Sequence, residues 1–214
     1  MNIEKGKVIS LVSENTPVPG CTISGAIAPD ITVFSLAEGT DISAEHYPDP
    51  VLYMGLSGQA QIFTPGEPSQ GLFPWHVIYV SDGKDTGVIA PSDCIYIEIG
   101  LNSKTSMNQI VKNREVFALK DIVPYQEGKI VNMDIASNDK MKFVVMAFDA
   151  GQGLRAHAAP GDAMVFALDG EGVIGYEGKE YLLKAGEQFV FEKGGLHSVK
   201  ADKRFKMALL LTLE

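Results

Sequence analysis

The second half of this chain repeats the first. Lys7–Val12 lines up with Glu115–Lys120 at an offset of 108 residues, and Gly20 lines up with Gly128 at the same offset. Ile31–Gly39 matches Phe143–Gly151, and Leu56-Ser-Gly58 matches Leu168-Asp-Gly170, both at 112. Gly87–Ala90 then matches Ser198–Ala201, and Cys94–Ile97 matches Phe205–Ala208, both at 111. Matches that keep their order, and drift only at turn-rich places, mean duplication of one structural unit. Each copy has roughly 100 residues, a common domain size. The expected division is therefore 1–104 and 105–214.

The stretch Gly151–Ala201 shows what the unit is made of. Val, Phe and Leu alternate there with polar or small residues, and Pro160-Gly161, Asp169-Gly170, Glu177-Gly178, Ala185-Gly186 and Gly194-Gly195 cut the run into short segments. Strands at this spacing with no helical stretch between them predict an antiparallel, all-β sandwich or barrel. In the first copy, Thr64–Gly71 reads as a hairpin loop, and Tyr176–Lys179 is its tighter counterpart in the second. The polar segment Asn102–Asn113 lacks alternation and reads either as a linker or as a short helix capped by Asn102-Ser103.

Composition narrows the function. Apolar residues make up 45% and charged ones 21%, which predicts a packed core rather than disorder. The formal net charge of -9, with no basic cluster, argues against nucleic acid and anionic membrane as partners. Apolar runs such as Met207–Leu211 are too short to span a bilayer, and the first residues, MNIEKGKV, have no signal-peptide stretch. Cys21 and Cys94 make no disulfide framework, and a cytoplasmic, reducing setting is the simple expectation. Both thiols read as small buried hydrophobes.

The second copy resembles the cupin superfamily. Gly151, His157 and Gly170 keep the spacing of the first cupin motif, with Ala159 and Ala163 where a second histidine and a glutamate belong. Gly186, Gly194 and His197 keep the spacing of the second motif, with Glu192 in its proline place. His157–Ala163 and Arg204-Phe-Lys-Met resemble a group of small bacterial cupins. The resemblance implies two tandem cupin barrels of the jelly-roll, double-stranded β-helix type. It also implies that His157 and His197 approach one another inside the second barrel, and that the exposed sheet face of the first barrel is available to pack against the second, as cupins often do in pairs; a homodimer is a candidate partner state.

Strand parity puts Arg155, His157 and Ala159 on one face. The candidate ligand-binding residues are therefore His157, His197 and Arg155, with room for a small polar or anionic molecule beside Ala159 and Ala163. Three readings stand. In the first, the imidazoles and Arg155 anchor such a ligand. In the second, His157 and His197 hold a divalent transition metal (Zn, Fe, Ni or Mn) in an oxygenase or isomerase, with Glu180, Gln188 or Glu192 as third ligand. The resemblance also allows metal-free acid–base work with Tyr176 or Tyr181, as in some cupin-fold sugar epimerases. In the third, the histidines are satisfied core groups of a structural or regulatory module.

The first copy carries Glu45, Tyr47, Val51 and Thr86 at the places of His157, Ala159, Ala163 and His197. His46 is one residue out of register and is expected on the opposite face. His76 is expected to be a hydrogen-bonded, half-buried residue. This copy reads as structural, with a separate pocket around Glu45 and Tyr47 as the alternative.

Overall fold

The computed structural model of the chain describes residues 3 to 213. It is almost entirely strand, in the order β1 (Val8–Ile9), β2 (Thr22–Ala28), β3 (Ile31–Leu36), β4 (Asp41–Tyr47), β5 (Val51–Ser57), β6 (Ala60–Phe63), β7 (Gln70–Leu72), β8 (His76–Val80), β9 (Lys84–Ile89) and β10 (Cys94–Gly100). Then follow β11 (Ser106–Met107), β12 (Val116–Ala118), β13 (Ile130–Ser137), β14 (Met141–Phe148), β15 (Gln152–Ala158), β16 (Asp162–Tyr176), β17 (Lys179–Lys184), β18 (Gln188–Phe191), β19 (Leu196–Ala201) and β20 (Phe205–Thr212). One four-residue helix, α1 (Leu11–Glu14), interrupts the series.

The expected all-β architecture is what forms. Two compact units emerge, and they are not simple halves of the chain: residues 11–105 and 109–118 form one, and residues 3–10, 106–108 and 119–213 form the other. In the first unit a six-stranded sheet, β12-β8-β5-β10-β3-β2, faces a four-stranded sheet, β4-β9-β6-β7. Side chains from both sheets meet in one core that includes Leu36, Tyr53, Ile62, Val88 and Tyr96. In the second unit β16 serves two sheets. Its start pairs with β18 and β20, and its end pairs with β17 and β19. That core includes Phe148, Val165, Leu183, Phe189, Phe191 and Val199. All ladders within the two units are antiparallel, which the short turns between strands require.

The duplication extends to hydrogen-bond register. Ile97 pairs with Met54 and Tyr96 with Gly55, and in the second unit Ala208 pairs with Phe166 and Met207 with Ala167. Each copy then skips one residue, Leu56 or Leu168, in a β-bulge. The bulge leads into Gly58 (φ 65°) and Gly170 (φ 72°), where the strand turns from one sheet toward the other. The short arms repeat as well. Val8 pairs with Phe189, and the equivalent Val116 pairs with Ile78. Each arm precedes one repeat in sequence but is built into the other unit. A single cut after residue 104 does not capture this exchange, because hydrophobic periodicity reports a strand's faces and not its pairing partner.

Asn102 caps no helix. Its side-chain oxygen accepts from the Lys104 amide at 2.9 Å, which closes a turn that leads into β11. Cys94 is buried as expected, but Cys21 is exposed.

The sheet-changing glycines tolerate no side chain. A Cβ on Gly170 would lie 2.2 Å from the Arg204 carbonyl oxygen, and one on Gly58 would lie 1.8 Å from that of Asp93. Gly178 has φ 78° but open space around it. Gly170→Ala and Gly58→Ala are each expected to destabilise by roughly 2–4 kcal/mol, and Gly178→Ala by only about 1 kcal/mol. Urea unfolding of the three variants checks this.

Candidate functional site

The second barrel places its two histidines side by side. His157 on β15 and His197 on β19 are direct cross-strand partners, and their ring centroids are 4.2 Å apart. Tyr176 on β16 is the partner of His197 on its other side, so the three form one row across adjacent strands. His197 is 8% exposed and stacks on Phe191 at 4.0 Å, while His157 is exposed. The pair therefore marks the edge of the apolar core and is not enclosed by it.

The ring nitrogens have defined roles. His157 Nδ1 is 2.9 Å from the Arg155 carbonyl oxygen, and His197 Nδ1 is 3.2 Å from that of Gly195. A carbonyl only accepts, so each Nδ1 carries a proton and donates. In the neutral ring Nε2 is then the atom with a free lone pair. Burial lowers the pKa of His197 from the ordinary imidazole value. The Gly195 carbonyl works against that, and the neighbouring His157 lowers it further.

Arg155 does not share the histidine face by simple alternation. Leu154 pairs with Val199 and His157 with His197, so three steps on β15 match two on β19. This bulge puts Leu154 against the core and returns His157 to the same side, and it breaks the parity count that grouped Arg155 with His157. Arg155 is exposed and lines a shallow hollow with Gln152, Ser198 and Lys200. The expected room beside Ala159 and Ala163 is also corrected. Both are nearly fully buried, at 3% and 2% exposed, and they belong to the packed apolar cluster.

The donors needed for a metal do not converge here. Gln188 is fully buried and donates to the Gly186 carbonyl at 2.7 Å, and Glu192 faces Lys5 at 3.5 Å. Glu180 lines a hollow with His197, yet no group of three His, Cys, Asp or Glu side chains suited to a metal occurs among the described residues. Two imidazoles do not fit the three protein ligands usual for a catalytic zinc. Tyr176 is held by packing. Its ring meets Phe189 at 5.6 Å and Phe191 at 5.7 Å, and a Cβ on Gly195 or Gly6 would collide with it.

The first barrel repeats the geometry with different chemistry. Glu45 and Thr86 are cross-strand partners in the way His157 and His197 are, across an equivalent bulge after Ile42. Glu45 is exposed, and Thr86 is 2% exposed with no partner for its hydroxyl among the described residues. His46 points outward to Asp85 at 2.9 Å, and His76 Nδ1 bonds the Pro74 carbonyl at 3.1 Å. The unexpected group is Glu98. It lies on β10 opposite Tyr53, and it accepts a hydrogen bond of 3.2 Å from the Tyr47 hydroxyl.

Tyr96, two residues earlier on the same face, is 1% exposed and its hydroxyl has no partner among the described residues. Burial pushes the Glu98 carboxyl up to about 7, the Tyr47 hydrogen bond offsets part of this, and Glu45 adds to it. Tyr47 is itself pushed up to about 12, by burial and by the Glu98 charge. A cavity of about 240 Å³ opens beside Tyr47 and Glu98 and is also lined by Asp30, Thr32 and Asp49. The sequence signal for this was the alternation Cys94-Ile-Tyr-Ile-Glu98, which puts a carboxylate on the inward face of a core strand.

A family model described as "Cupin domain" matches residues 144–213. A "Cupin 2 conserved barrel domain protein from Leptotrichia buccalis" is similar in structure at 29% identity, with a TM-score of 0.86 and 98% of each chain covered. Ylba from E. coli has 12% identity and a TM-score of 0.62, with 98% of this chain and 92% of that one covered. A salicylate 1,2-dioxygenase from Pseudaminobacter salicylatoxidans has 10% identity and a TM-score of 0.63, with 89% of this chain and 75% of that one covered. The last two are similar in fold alone. No curated protein sequence matches the chain. No helix among the described residues is long and apolar enough to cross a membrane.

A half-buried carboxyl with a raised pKa links stability to pH. The folded chain holds the Glu98 proton that the unfolded chain releases near pH 4.5, so stability falls as pH rises from about 4.5 to 7. Glu98→Gln removes the ionisation. It should match the wild type near pH 4 and exceed it above pH 7 by on the order of 3 kcal/mol, read from urea midpoints across pH.

Proposed function

We propose that the chain is a member of the cupin superfamily, as the match over residues 144–213 supports, and that its second barrel binds a small hydroxyl-bearing molecule at the His157–His197 pair. One observation carries this reading: both rings commit Nδ1–H to backbone carbonyls and keep Nε2 as an acceptor, on neighbouring strands. Neutral imidazoles in that state accept from hydroxyl groups and do not neutralise an anion. The lowered pKa of His197 favours the neutral form. Tyr176, half-buried in the hollow beside His197, supplies an apolar wall for the carbon skeleton of such a ligand.

The wall and the paired acceptors together suit a short polyol or a monosaccharide. A metal-centred reaction would need a third ligand from the chain, and the donor set does not supply one. Arg155 faces a different hollow, so an anionic ligand lacks its expected clamp.

Thermal melts with a panel of small polyols, monosaccharides and dicarboxylates test the proposal. Hydroxyl compounds should raise Tm in proportion to the logarithm of concentration. His157 is exposed, so His157→Ala should keep the unliganded Tm and weaken binding by roughly three- to tenfold, the worth of one hydrogen bond. Stabilisation that persists unchanged in His157→Ala, or that comes from dicarboxylates alone, overturns it.

A further inference from the structure

We infer that Gly6, on the amino-terminal arm, is a positioning residue for His197: by carrying no side chain it lets the Tyr176 ring stand against Gly195, whose carbonyl orients the imidazole. The inference rests on reading the His157–His197 pair as a binding site, and it names what controls one of the two acceptors. The arm belongs to the second unit. Val8 pairs with Phe189, and the Gly6 amide donates to the Val190 carbonyl at 2.9 Å. Lys5 reaches Asp162 at 2.8 Å and Glu192 at 3.5 Å. Asp162 also accepts from the Lys193 amide at 2.9 Å, so these charges tie the arm to the turn 192–195.

The Tyr176 ring lies between the arm and that turn. A Cβ on Gly6 would lie 2.9 Å from its Cε1, and a Cβ on Gly195 would lie 2.6 Å from its Cε2. Two segments of chain thus clasp opposite edges of one ring. The ring has little room to retreat, because Phe189 and Phe191 stand at 5.6 and 5.7 Å from its centroid. A side chain on Gly6 therefore drives the ring onto the Gly195 backbone. The Gly195 carbonyl accepts the His197 Nδ1 proton at 3.2 Å, the long end of the N–H···O range. A shift of a few tenths of an ångström breaks that bond, and the neutral ring is then free to carry its proton on Nε2. Nε2 is the acceptor that a ligand hydroxyl needs.

The first copy supplies an independent observation. Arg114 is the equivalent of Gly6, and Thr64 is the equivalent of Tyr176, at the repeat offsets of 108 and 112. The Arg114 amide makes the same backbone bond, to the Tyr79 carbonyl at 2.7 Å, with a φ of 60° against 75° at Gly6. Its guanidinium donates to the Thr64 hydroxyl at 2.7 Å. The backbone at this place therefore carries a side chain, and positive φ alone does not demand glycine at position 6. In both copies the arm touches the same strand position. One copy sets a large arm residue against a small strand residue, and the other sets the reverse. The Tyr176 ring is what keeps position 6 bare.

Nitrogen-15 NMR of the histidine rings in the full chain at about pH 8, where ordinary imidazoles are neutral, tests this alongside thermal melts with glycerol and glucose. In the wild type His197 should show its proton on Nδ1. Gly6→Ala should move that proton toward Nε2 and weaken glycerol or glucose binding by roughly three- to tenfold. Gly128→Ala also puts a Cβ at positive φ, but into open space, so it should lower Tm and leave the His197 signals and the affinity unchanged. Tyr176→Thr, which copies the first barrel, removes the clasped ring. It should move the His197 proton by itself, and adding Gly6→Ala to it should change nothing further. Unmoved His197 signals in Gly6→Ala or Tyr176→Thr, the same movement in Gly128→Ala, or a further movement in the double variant overturns the inference. Movement as expected, with no stabilisation of the wild type by either compound, upholds the positioning role and overturns the binding reading instead.

Discussion

Where the strands change sheet, backbone passes so close to backbone that only hydrogen fits between them. Gly58 faces the Asp93 carbonyl and Gly170 the Arg204 carbonyl, each just after a bulge that skips one leucine. There a strand leaves one sheet and enters the facing one, as β16 does without a break. The bend carries the chain between the sheets of each unit, and at these two positions the facing carbonyl leaves no room for a Cβ. The positions of β15, β19 and the mouth residues follow from where the bend falls.

On that shared backbone the two interiors have diverged in opposite directions. The second barrel fills its centre with Phe189, Phe191, Val165 and Met207, and carries the polar row of His157, His197 and Tyr176 at the edge of that core. The first places Tyr53, Tyr96 and Glu98 where the second has Val165, Met207 and Leu209. Burying phenols and a carboxyl costs stability that an aliphatic core would not forfeit. The unpaired hydroxyls of Tyr96 and Thr86 concentrate that cost in one barrel. Polar groups held at such expense mark the place where a chain does chemistry or binding. The barrel that kept its motif histidines is thus not the one with the most strained interior.

Much of this was legible before any coordinates. The repeat offsets give the equivalence of Glu45 with His157 and of Thr86 with His197, and both pairs stand as cross-strand partners. The glycine spacing gives the turns. Three features lay beyond what local pattern shows. Arg155 was grouped with His157 because alternation assumes an unbroken ladder, and the bulge inserts a residue. The space beside Ala159 was inferred from side-chain size, while neighbouring side chains fill it. Glu98 was passed over because it matches no motif position, although its parity within Cys94–Gly100 was visible.

Residue order alone determined the strand rhythm, the doubling of the unit and the pairing of equivalent positions, because these depend on local periodicity and on self-similarity. Tertiary structure alone decided which unit each short arm joins, where the bulges fall, and which buried hydroxyls go without partners. Those outcomes depend on distances between segments far apart in the chain, which local pattern does not encode.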